Sequence, residues 1–89
     1  MTEMDILKVS SKSVPTSVAD AIAGVLQERG TAEIQAVGAG AANQAIKSVA
    51  IARTYMQEIG VDLVCIPEFT SVVINNEDRT AIKLIVEPR

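Results

Sequence analysis

The sequence predicts an α/β chain of the α+β sandwich kind, with order strand, helix, strand, helix, strand, strand. It places a mixed four-stranded sheet under two helices packed on one face. Three observations lead there. At 89 residues the chain holds one small domain, residues 1–89, against roughly 100 to 200 residues for a typical one. Its apolar residues change period along the chain, and Gly, Pro and Asn clusters punctuate those changes.

Ile6, Leu7 and Val9 form a short apolar run closed by Ser10, Ser11, Lys12 and Ser13, a strand leading into a loop. A helix follows Val14-Pro15. Thr16 or Ser17 is placed to cap its first turn, Asp20 to meet the positive end of its dipole, and Gly30 to stop it after Arg29. Val18, Ala21, Ile22, Val25 and Leu26 recur every three or four residues, the single stripe of a helix lying on a sheet.

Residues 32–37 alternate weakly and end at Gly38-Ala39-Gly40, a second strand. A second helix runs from about Ala41 to Gln57, with an inner stripe of Ala42, Ala45, Ile46, Val49, Ala50 and Met56. Ile51 and Tyr55 lie off that stripe, so this helix is expected to touch a second copy of the chain in a symmetric dimer. Association would also supplement the limited core of so short a chain.

Beyond Gly60, Val61, Leu63, Val64, Cys65, Ile66, Phe69, Val72, Val73 and Ile74 make a long strand that Pro67 must bend or confine to an edge. Asn75, Asn76, Glu77 and Asp78 read as a turn. Ala81, Ile82, Leu84, Ile85 and Val86 close a hairpin. Two βα units with a right-handed crossover, then an antiparallel hairpin in the same sheet, satisfy this order.

Composition excludes most chemistry. The chain has no His and one Cys, so neither an imidazole base nor a His- or Cys-rich metal site can be built, and no internal disulfide forms. Cys65 stands among Leu63, Val64 and Ile66, the setting of an inert structural thiol. Glu77 and Asp78 fit a solvated turn better than an acid and base pair. The turn at Gly38-Ala39-Gly40-Ala41-Ala42 lacks the third Gly of a dinucleotide fingerprint and the Lys-Ser or Lys-Thr of a P-loop. No enzyme, cofactor, metal or small-molecule substrate is therefore expected.

No run reaches the roughly 20 apolar residues of a membrane span, and the start, Met1, Thr2, Glu3, Met4 and Asp5, is acidic where a signal peptide is basic. A cytoplasmic protein without membrane contact is expected. A net charge of -3 argues against wholesale wrapping in nucleic-acid phosphate, and two aromatic residues, Tyr55 and Phe69, cannot make a base-stacking platform. Any phosphate contact must come from a local set: Lys8, Lys12, Lys47 and Arg79, with the hydroxyls of Ser10, Ser11 and Ser13 beside them.

Residues 7–19, 29–47 and 79–87 carry a more specific signal. They read LKVSSKSVPTSVA, RGTAEIQAVGAGAANQAIK and RTAIKLIVE, and closely resemble the stage V sporulation protein S family of bacteria over almost the whole chain. That family is similar to Alba, the archaeal chromatin protein, and is associated with spore formation and developmental control. The resemblance implies an Alba-like fold, a homodimer or higher homo-oligomer, and DNA or RNA as a weakly bound partner.

Lys12 falls in the loop where Alba-like proteins place phosphate-binding lysines, although Ser11 or Ser13 stands where the second lysine would be. Arg79 falls on the hairpin that such proteins lay along the groove, here beside Glu77 and Asp78. Ala39 and Ala41 occupy the turn where arginines approach nucleic acid. These departures imply weak binding. The competing expectation is a protein-protein interaction module that keeps the scaffold and has lost nucleic-acid binding.

Overall fold

The computed structural model describes residues 6–89, so the acidic start lies outside the described residues. The elements are β1 (Ile6–Val9), α1 (Pro15–Arg29), β2 (Ala32–Ala36), α2 (Ala39–Gln57), β3 (Leu63–Ile74) and β4 (Glu77–Pro88). The sheet order is β1-β2-β4-β3. β1 and β2 are parallel, and β4 is antiparallel to both β2 and β3. This is the expected mixed sheet in the expected order of elements, consistent with an Alba-like α+β fold.

One face of the sheet carries the core. Val9 of β1, Ala32, Ile34 and Ala36 of β2, Leu63 of β3, and Leu84 and Val86 of β4 pack with Ala19, Ile22 and Leu26 of α1 and with α2. Ile22 and Ile34 are fully buried. Truncating either to Ala removes contacts worth about 2 to 5 kcal/mol in close-packed interiors.

Both helices depart from the expected stripes. In α1 the buried residues are Ala19, Ile22 and Leu26, while Ala21 is exposed. In α2 they are Ala41, Ala45, Ser48, Val49, Ala52 and Met56; Ile46 is 53% exposed and Ala50 is also outside. Alanines let this helix approach the sheet closely, and Ser48 is tolerated because its hydroxyl donates to the Gln44 carbonyl at 2.7 Å.

The ends of α1 also need correction. Neither Thr16 nor Ser17 caps it: Val14 is the N-cap, without a side-chain hydrogen bond, and Pro15 opens the helix. A proline at that position loses nothing, because its missing N–H would have had no partner in the helix. Asp20 sits beyond the first turn, which holds no acid. Gly30 does close the helix, with φ 82° and its N–H donating to the Leu26 carbonyl at 2.8 Å.

The turn of the hairpin is shorter than expected. Only Asn75 and Asn76 form it, with φ 52° and 64°, and Glu77 and Asp78 already pair with Ile74 and Val73. Two consecutive positive φ values match the twist of antiparallel strands, and asparagine accepts them better than most residues. Pro67 pairs with Leu84 inside an unbroken ladder. It is accommodated because β3 is an outer strand of the sheet. Because β2 meets β4 only from Ile82 to Val86, residues 70–74 and 77–81 continue beyond it as a two-stranded arm, about 17 Å long at 3.4 Å per residue.

Candidate nucleic-acid interface

The topology brings several features to one end. β1 and β2 run in parallel and each leads directly into a helix, so the loop of residues 10–14, the turn at Gly38 and the N-termini of both helices share that end. β4 runs the other way, so the hairpin arm projects there as well. Neither helix start is capped by a side chain, so the first-turn amides at the positive dipole ends have no side-chain cap there.

The loop after β1 is held by its own serines. The Ser10 amide donates to Ser13 Oγ at 2.9 Å, the Lys12 amide to Ser10 Oγ at 3.1 Å, and the Ser13 amide to the Ser10 carbonyl at 3.1 Å. From α2, Gln44 Nε2 donates to the Ser13 carbonyl at 2.9 Å. Lys12 is therefore presented, exposed, from a braced loop.

The strand register settles where the other candidate cations lie. Lys8 is aligned with Gln35 and Lys83 on the helix-free face of the sheet. Arg79 is on that same face, four residues from Lys83 along β4 and opposite Val72, about 13 Å further out. Lys47 belongs to α2, on the other side of the sheet. Lys8, Lys12 and Arg79 thus lie at one end, and Lys47 is in a different layer.

The ion pairs fall elsewhere. Lys83 Nζ stands 3.5 Å from Glu68 and 3.9 Å from Glu33. Arg53 reaches Asp62 at 3.1 Å, and Arg89 holds the same carboxylate through Nε at 2.9 Å. Hydrogen bonds from Arg89 first, and from Arg53 second, hold the Asp62 carboxyl below its ordinary value. Among the described residues Lys8, Lys12, Lys47 and Arg79 form no ion pair.

Of the expected dimer residues, Ile51 is half-buried against the core and Tyr55 is 38% exposed. Cys65 is half-buried, and burial pushes its thiol above the ordinary 9.0. Sequence reasoning missed Phe69 and Val73, which are 81% and 69% exposed. Apolar residues in a strand read as core. The signal available for their exposure was the length of the hairpin relative to the short strand β2.

The family model for Stage V sporulation protein S (SpoVS) matches residues 5–89. The chain belongs to this family. Membership gives this SpoVS-family chain a sporulation-related role, and its fold carries no helix, among the described residues, long and apolar enough to cross a membrane.

Proposed function

We propose that this SpoVS-family protein is a non-enzymatic developmental regulator that acts in the cytoplasm as a homodimer and binds DNA or RNA weakly through phosphate. The observation that carries this reading is that Lys12, Lys8 and Arg79, without ion-pair partners among the described residues, lie toward the same end of the sheet as two helix starts that lack side-chain caps. Such groups attract phosphate without reading bases. Lys47 adds a contact only to a nucleic acid that reaches round to the helix layer. Glu77 and Asp78 at the arm keep the affinity low.

The test is a titration of the purified protein against labelled duplex DNA and single-stranded RNA over a series of salt concentrations. Binding should be present at low salt and fall steeply as salt rises, at about 0.9 in log-log slope per phosphate contact on duplex. Lys12→Ala should lower that slope by about 0.9 per chain and weaken all sequences alike. Absence of binding at low salt overturns the reading. The exposed apolar side chains Phe69 and Val73 would then favour the protein-interaction module.

A further inference from the structure

β3 is an outer strand, so the backbone groups along its far side have no partner among the described residues. Natural sheets blunt such edges with charge, proline or a bulge. Here the protection stops at Pro67 and Glu68. Residues 69–74, Phe69, Thr70, Ser71, Val72, Val73 and Ile74, contain no charge, proline or glycine and are rich in strand-favouring side chains. Phe69 and Val73 stand exposed on the helix-side face of β3. Beside Phe69 lies a shallow groove of about 250 Å³ lined by Pro67, Glu68, Phe69 and Ile82.

Pro67 indicates which amides look outward. Its missing N–H costs nothing if its nitrogen faces away from β4. Backbone groups alternate in direction along an antiparallel strand, so Phe69, Ser71 and Val73 also direct their N–H and C=O groups away from the sheet.

We propose that this edge pairs antiparallel with the same edge of a second copy, about a two-fold axis at Ser71. Phe69 then lies opposite the partner's Val73, Ser71 opposite the partner's Ser71, and Val73 opposite the partner's Phe69. All three outward residues find partners, and the pairing ends where Pro67 meets the partner's turn. Centring on Phe69 would set Pro67, which has no N–H, against Ser71; centring on Val73 would run Ser71 into the turn. Charge favours a second copy over a foreign strand. A charged residue from a partner would be desolvated against Phe69 and Val73, whereas the chain's own segment is neutral throughout. The product is a continuous eight-stranded sheet. This inference names the surface of the proposed homodimer, and its test does not involve nucleic acid.

The experiment uses the full chain with Cys65→Ser, adding Ser71→Cys or, as a control, Val73→Cys. Directly opposed Cα atoms in a hydrogen-bonded pair lie about 5.5 Å apart, within disulfide reach. Two copies of residue 73 would be separated by four residues along the strand, about 14 Å. Mild oxidation should convert Ser71→Cys to a covalent dimer and leave Val73→Cys monomeric on a denaturing gel. In sedimentation equilibrium the unmodified chain should be dimeric and Phe69→Glu monomeric, with an unchanged circular dichroism spectrum. A monomeric unmodified chain overturns the proposal. So does equal cross-linking of both cysteine variants, or a dimer that survives Phe69→Glu and is lost with Tyr55→Glu.

Discussion

A Cβ placed on Gly40 would lie 2.9 Å from the Cβ of Ser11, closer than two carbons can approach. The first turn of α2 is therefore seated directly against the loop that presents Lys12. Together with the hydrogen bond from Gln44 to the Ser13 carbonyl, this contact makes the loop and the start of α2 one braced unit. The sequence feature that looks like a nucleotide fingerprint, Gly38-Ala39-Gly40, is explained by that packing and by the φ of 93° at Gly38.

Gly40→Ala tests the contact. In an exposed helix the change would stabilise by about 1 kcal/mol, but here overpacking against Ser11 should outweigh it, and overpacked sites lose about 1 to 3 kcal/mol. Denaturant unfolding should show a net loss. The double variant Gly40→Ala with Ser11→Gly should recover stability, because the colliding atom is gone. Affinity for duplex DNA at low salt should fall with the single variant as Lys12 is displaced.

The hairpin turn gives a second prediction. Asn75 and Asn76 both sit at positive φ, where a β-branched side chain is strained by about 1 to 2 kcal/mol. Asn76→Val should lower the unfolding midpoint and loosen the arm that carries Arg79. Asn76→Gly should match or exceed the stability of the native chain. Hydrogen exchange of the amides in residues 70–74 would report the loosening directly.

Much of this fold was legible because its periods change sharply: a spacing of three and four in residues 18–26, alternation in residues 32–37, and glycine or asparagine at the breaks. The inward face of α2 was not legible, since a helix so rich in alanine fits several stripes equally well. Spacing alone points Ile46 inward, and it leaves Ser48 out of the stripe, although one hydrogen bond to the Gln44 carbonyl is enough to bury it. For the candidate site, the loop position of Lys12 follows from sequence. The shared face of Lys8 and Arg79 depends on strand register, which no local pattern encodes, whereas the separation of Lys47 follows from its place on α2.

Cys65 should behave as a structural thiol. It is half-buried, and burial raises its pKa, so both access and thiolate fraction are reduced in the folded chain. A chromogenic disulfide reagent at neutral pH should label it at least about tenfold more slowly than in denaturant, with the ratio narrowing as pH rises toward the thiol's pKa. Labelling at the unfolded rate would contradict this placement.

Asp62 ties the C-terminal end to α2, because Arg89 and Arg53 both hydrogen-bond its carboxylate and the Arg89 amide donates to the Asp62 carbonyl at 2.8 Å. These guanidinium contacts lower its pKa from the ordinary 3.8. A carboxyl whose pKa is depressed by folding contributes stability that is full above its unfolded value and is lost as pH falls through its folded value. The contribution should accordingly be constant near neutrality and decline only as pH falls below the ordinary 3.8. Because the carboxylate is solvent-exposed, the effect is small and salt-sensitive. Thermal melts of Asp62→Asn should differ from the native chain at pH 7 and converge with it as pH drops toward 2. Fraying should appear first at Arg89, whose backbone amide would exchange faster in the variant. A gap between the two melting curves that stayed constant down to pH 2 would show that the role of Asp62 is not ionic.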